Sequence, residues 1–228
     1  MTDDEQSQLG RAMSALTEDC MHKAGYGNWA PPPELPKVGP KTLTDLRYGI
    51  HDAALVSKNG YHPDAAEKAA HDAAVEAAVA GNPRGAARAA ENSCGQQSKQ
   101  KIGDAQAAFR LAEQLANDAF TKAEKEPEVA AAFTQWSGCM KESGYSYREP
   151  LDAVDDPKFG RDVTKTEIDT ATADLKCRSR SNVALVWYEA EARLQKAALE
   201  KNAQALQEGR GKLDAAMKNV NAILAGKR

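Results

Sequence analysis

The sequence predicts an all-α fold, with two similar disulfide-stapled helical modules, long helices forming a hairpin or bundle, and extended proline-rich loops. Three observations carry it. Apolar residues recur at helical spacing along most of the chain, helix caps and glycine stops punctuate it at regular intervals, and four widely separated cysteines fall into two similar halves. Much of the 42% hydrophobic content of these 228 residues is alanine. Alanine favours helix strongly and buries little area per residue, so close helix packing is expected.

Thr2 with Glu5 forms a capping box, Leu9, Met13 and Leu16 follow at helical spacing, and Gly25 supplies a left-handed stop. This predicts a first helix over 3–23. Pro31, Pro32, Pro33, Pro36 and Pro40 preclude helix over 27–41 and favour an extended strap. Thr42 with Asp45 caps a short turn ending at Tyr48-Gly49, and a short helix covers Ala53 to Lys58 before Gly60. Pro63 sits where a helix should begin and Gly81 where it should stop. Asn82-Pro83 starts the next helix, with a break expected near Cys94-Gly95 and a long helix resuming over 98–125. In that helix Ala105, Phe109, Ala112, Ala116, Ala119 and Ala123 share one stripe.

Glu126-Pro127 restarts the helix that carries Val129, Phe133 and Trp136 and ends at Gly144. An irregular stretch with Pro150 and Pro157 follows. Thr164 with Glu167 is a second capping box, and helical pattern then runs to Ala225, with breaks expected around 179–182 and at Gly209 and Gly211. Leu199, Leu206, Leu213 and Val220 recur every seventh residue, with Met217 and Leu224 beside them, a coiled-coil-like seam for a hairpin against the 98–125 helix.

The four cysteines, Cys20, Cys94, Cys139 and Cys177, contain no C-x-x-C pair, so the closely paired ligands of zinc sites are missing and disulfides are the expectation. Disulfides imply an oxidising compartment. Cys20-Met21-x-x-x-Gly25-Tyr26 and Cys139-Met140-x-x-x-Gly144-Tyr145 are copies of one element, each followed by a single later cysteine. The simplest pairing is therefore Cys20 with Cys94 and Cys139 with Cys177, two other connectivities remaining open. It suggests a stapled module over 1–97, a connecting helix over 98–125 and a second stapled module over 126–228.

The same residues carry a resemblance. Trp136-x-x-Cys139-Met140, Gly144, Glu167-Ile168, Ala173-Asp174, Cys177-Arg178, Asn182 and Val186-Trp187, with Arg47-Tyr48-Gly49 and Gly60-Tyr61-His62, resemble a family of actinobacterial secreted proteins and lipoproteins. The resemblance spans most of the chain and implies an envelope location, often beside export-type transporters. The acidic start Met1-Thr2-Asp3-Asp4-Glu5 is no signal peptide, so a leader and any membrane lipid anchor are expected to have been removed.

Charge and motif content exclude several functions. A formal net charge of -3 offers no basic excess for a phosphate backbone, which disfavours nucleic acid. No G-x-S-x-G, H-E-x-x-H or phosphate-cradling loop occurs, so no catalytic residue is assigned and an enzyme is not expected. His22, His51, His62 and His71 lack ligand spacing, and disulfides would remove the thiolates that Cys20-Met21 and Cys139-Met140 would offer copper, so neither metal nor cofactor is expected. Aromatics make up only 6% of the chain. Tyr26, Trp29, Tyr48, Tyr61, Tyr145 and Tyr147 gather beside the glycine turns and are candidates for a groove taking a peptide, glycan or envelope protein. The expectation is a non-enzymatic envelope binding protein. Its rivals are a cell-wall-acting enzyme using Glu167 and Asp174, and an intracellular scaffold associating through the Leu199 to Leu224 seam.

Overall fold

The structure, a computed structural model, describes residues 1–42, 44–81 and 83–226, with the side chains of Ala107 and Ala108 also undescribed. The described residues are 70% helical, form ten α-helices and include no strand, so the fold is all-α with two disulfide staples.

In chain order the helices are α1 (Asp3–Lys23), α2 (Ala53–Asn59), α3 (Ala65–Ala80), α4 (Ala86–Ile102), α5 (Ala107–Ala123), α6 (Pro127–Glu142), α7 (Pro150–Val154), α8 (Lys165–Ser181), α9 (Val183–Lys201) and α10 (Ala203–Leu224). Most starts follow cap chemistry. Thr2 and Glu5 close a full capping box on α1, Asp52 accepts from the amides of Ala54 and Leu55, and Pro127 stands in the first turn of α6. The box expected at α8 is half made. Thr164 accepts from the Glu167 amide, but the Glu167 carboxylate is engaged elsewhere.

Several breaks lie elsewhere than expected. Helix α4 runs without interruption through Cys94-Gly95 and stops at Gly103, whose φ of +96° ends the helix where Gly95 has no need to. The helix expected over 98–125 is thus two helices. Likewise α10 passes through Gly209 and Gly211, each a tolerable loss of about 1 kcal/mol against alanine, while the break falls at Asn202. The turn at Asn182 is left-handed, as a residue of its type tolerates. Of the helix start read at Asn82-Pro83, Asn82 lies outside the described residues.

Two compact units share the chain, and both are discontinuous: one is Met1–Glu34, Val75–Ala116 and Ala198–Arg228, the other Leu35–Ala74 and Asn117–Ala197. The division differs from the contiguous 1–97, 98–125 and 126–228 stretches suggested by the cysteine order. The cause is packing: α2 belongs with α8, and α10 belongs with α1.

In the first unit α1 packs against α4 and α10, stapled by the Cys20–Cys94 disulfide. Its core joins Ala12 and Leu16 to Ile102, Ala105, Leu213, Ala216 and Val220. Only half of the sevenfold seam is buried: Leu213 and Val220 are, whereas Leu199 is 49% exposed. The break at Asn202 puts Leu199 on a different helix, and α10 meets α1 and the end of α4 rather than α5. Along α5, Ala119 and Ala123 are buried but Phe109 is exposed.

In the second unit the Cys139–Cys177 disulfide joins α6 to α8, and Trp136 and Trp187 are fully buried among Val129, Phe133, Met140 and Val183. The two helix ends carrying the repeated element have the same geometry. Tyr26 N–H donates to Met21 O at 3.0 Å and Tyr145 N–H to Met140 O at 2.9 Å, with Gly25 at φ +94° and Gly144 at φ +89°. No helix among the described residues is long and apolar enough to cross a membrane.

Candidate functional site

The second unit buries Glu167, Asp174, Arg178 and Glu191, and each of these fixes a point on the loop-rich segment 35–64. Glu191 on α9 is 0% exposed. It receives Arg47 Nε at 3.0 Å on both oxygens, Arg47 Nη2 at 2.6 Å, the Tyr48 hydroxyl at 2.8 Å and Gln195 Nε2 at 2.6 Å. The Arg47 guanidinium also lies 4.6 Å over the Phe120 ring. Such full satisfaction is what allows a carboxylate to remain inside a core.

Two further carboxylates on α8 hold the next anchor points. Asp174 accepts from Trp136 Nε1 at 2.7 Å and the Tyr61 hydroxyl at 3.2 Å, and pairs with Arg178 Nε at 2.8 Å. Arg178 then donates to the backbone carbonyls of Tyr48 and Pro150. Burial pushes the Asp174 carboxyl up, opposed by Arg178 and the two ring donors. The same burial pushes the Tyr61 and Tyr48 phenols up, their carboxylate partners adding to it. Glu167, also 0% exposed, accepts from Tyr61 N–H at 2.8 Å and meets His62 Nδ1 at 2.7 Å. The other ring nitrogen, Nε2, donates to Gly160 O at 2.9 Å, since a carbonyl can only accept.

Gly49 and Gly60 explain why the two anchor tripeptides contain glycine. Gly49 has φ +100°, and a side chain there would collide with the Arg178 guanidinium. Gly60 has φ +58° and would place a Cβ 2.6 Å from Glu167 Oε1.

Held this way, the segment presents a groove of about 550 Å³, within the usual range for ligand pockets. Val38, Pro40, Leu46, Ile50, Leu55 and Val56 supply its apolar walls. Leu46 and Leu55 stay 41% and 50% exposed, and Leu46 adopts φ +61°, a conformation that a leucine enters only when its surroundings impose it. Around the walls stand Asp45, Asp52, Asp64 and Glu67 with Lys41. Lys41 pairs with Glu67, and Asp45 pairs with His51. Bonds from Lys41 N–H and then from His51 hold the Asp45 carboxyl below its usual range. Asn59 also lines the groove; its Nδ2 is buried with no partner.

Among the aromatics picked out from the sequence, Tyr48, Tyr61, Tyr145 and Tyr147 all border the core of the second unit. Their hydroxyls are largely committed: Tyr48 to Glu191, Tyr61 to Asp174 and Tyr147 to Asp156 at 2.7 Å. Only Tyr61 of the six lines the groove. Tyr26 and Trp29 belong to the first unit, where both are half-buried and Trp29 O meets His22 Nε2 at 3.0 Å. Glu167 and Asp174 are fully buried structural anchors, neither a solvated helix face nor an acidic cleft. The groove leucines were not singled out in the sequence, because nothing there shows that positions so close in the chain fold around one hollow. Among the described residues no group of three or more His, Cys, Asp or Glu side chains is arranged to hold a metal ion.

Comparison with protein-family models, with curated proteins and with solved structures finds no match to this chain.

Proposed function

We propose that this chain is a non-enzymatic extracytoplasmic protein whose second unit binds a peptide segment of a partner in the 38–67 groove. The two disulfides are consistent with an extracytoplasmic location. The observation that carries the binding reading is a 550 Å³ apolar groove with two exposed leucines, built on a segment that buried ion pairs hold in place. A site fixed before its ligand arrives loses less entropy on binding. The aliphatic walls favour a peptide over a glycan, whose hydroxyls need a more polar lining than Val38, Leu46, Ile50 and Leu55 offer. The envelope setting, a lipid anchor and a transporter-associated partner rest on the family resemblance alone.

The test is fluorescence anisotropy of labelled hexapeptides with alternating leucines, on oxidised protein. Leu55→Ser removes an exposed wall without touching the core and should weaken binding about tenfold. Hydrolysis of a peptide or wall glycan by the wild type, lost in Asp174→Asn, would replace the binding reading with the enzymatic one.

A further inference from the structure

We infer that the groove selects a cationic peptide segment, one basic residue flanking an apolar anchor; this rests on the peptide-binding reading above. Its lining is asymmetric in charge. Four carboxylates, Asp45, Asp52, Asp64 and Glu67, face one ammonium, Lys41, and that ammonium is already paired with Glu67.

Part of this charge is taken up locally. Asp52 caps α2, and Asp64 accepts from the first amides of α3, where each helix start offers roughly half a positive charge. Asp45 has no helix start beneath it, whereas Glu67 lies in the first turn of α3. Asp45 answers to a single exposed imidazole and the backbone amides of Lys41 and Leu46, and Glu67 to Lys41 and the Gly39 amide. The groove therefore stays acidic after these discounts, and a Lys or Arg side chain laid along its rim is attracted while an Asp or Glu is repelled.

The rest of the lining specifies what accompanies the charge. Leu46 and Leu55 leave apolar surface for an aliphatic side chain to cover. Asn59 lines the groove and its Nδ2, closed to solvent, has no partner in the protein; a main-chain carbonyl of the ligand reaching it would satisfy it. A cation, an aliphatic group and a carbonyl together describe a basic peptide more closely than a lipid, which lacks the first, or a metal ion, which lacks the other two.

Three labelled hexapeptides with the same leucines and either Lys, Gln or Glu between them separate the possibilities. The Lys peptide should bind about tenfold tighter than the Gln peptide, with the Glu peptide weakest. Raising the salt should close the gap. Asp45→Asn combined with Glu67→Gln should bring the Lys and Gln peptides to equal affinity, and Leu55→Ser should weaken all three. The salt series on unaltered protein gives the same answer should the double variant fold poorly. Equal binding of the Lys and Glu peptides overturns the charge inference and leaves the groove reading standing. Binding of none overturns both.

Discussion

Replacing Gly60 by alanine should destabilise the second unit by about 4 kcal/mol, and the amount follows from two local facts. The backbone at Gly60 has φ +58° and ψ -121°, a region closed to residues with a Cβ at a strain of about 1–3 kcal/mol. The added Cβ would also lie 2.6 Å from Glu167 Oε1, 2.8 Å from Cγ and 2.9 Å from Cδ. Glu167 is 0% exposed and holds Tyr61 N–H and His62, so moving it aside forfeits a charged hydrogen bond, about 1.5–3 kcal/mol. Urea unfolding followed by tryptophan fluorescence measures this well, because Trp136 and Trp187 both sit in the core of that unit while Trp29 is in the other. Gly10→Ala is the control. Gly10 lies inside α1 with nothing within 4 Å of a built Cβ, so that change should stabilise by about 1 kcal/mol. If Gly60→Ala and wild type unfolded at the same urea concentration, Glu167 could not be the rigid anchor described here.

Three other outcomes are expected. Replacing either disulfide pair by serines should cost about 4 kcal/mol by loop-closure entropy, the 74-residue Cys20–Cys94 loop slightly more than the 38-residue Cys139–Cys177 loop, and no thiol should alkylate before reduction. Acidification has two opposite effects on the second unit. Burial raises the folded pKa of Asp174 above 3.8, so its charged form opposes folding, and stability rises as pH falls through that raised value. The bond from Lys158 N–H, then that from the Tyr147 hydroxyl, lowers Asp156, whose contribution is present above its unfolded value of 3.8 and is lost as pH falls through the folded one. The urea midpoint should therefore pass through a maximum in mildly acid solution, and Asp174→Asn should remove the rising limb. Leu46→Gly should leave stability nearly unchanged, since release of about 1–2 kcal/mol of left-handed strain offsets glycine's extra unfolded-state entropy, yet weaken peptide binding.

Local chemistry was legible in the sequence, and long-range assembly was not. The Thr2–Glu5 box, the Gly25 and Gly144 stops and the non-helical proline strap depend on a few adjacent residues, and the structure has them as expected. Gly95, Gly209 and Gly211 misled because glycine in a helix is a modest penalty that packing overrides, whereas Gly103 needs its positive φ. The assignment of segment 35–74 to the second unit depends on contacts such as Arg47 to Glu191, 144 residues apart, which no periodicity encodes. Glu167 and Asp174 were noticed, but a sequence cannot tell a catalytic carboxylate from one buried against Tyr61, Trp136 and Arg178. Leu46 became a groove residue through a backbone conformation that its side chain alone argues against.

The repeat explains why the candidate site sits in one unit only. Beyond the shared helix ends, each later cysteine is followed four residues on by a serine that bonds back to it: Ser98 Oγ to Cys94 O and Ser181 Oγ to Cys177 O, both at 2.8 Å. Counting from these cysteines, the places of Asp174 and Arg178 are taken in the first copy by Glu91 and Gly95, and counting from Cys139, that of Trp136 by Thr17. Thr17 spends its hydroxyl on Ser98, and Gly95 has no guanidinium to reach a loop carbonyl. The first copy thus keeps the staple and the cap without the charges that pin a loop. Stapling needs only the cysteine, glycine and serine positions, whereas presenting a groove needs the acids and the arginine as well. Variation at Glu91 or Gly95 should therefore leave peptide binding untouched, and variation at Asp174 or Arg178 should impair it through the position of segment 35–64 even where the disulfide remains closed.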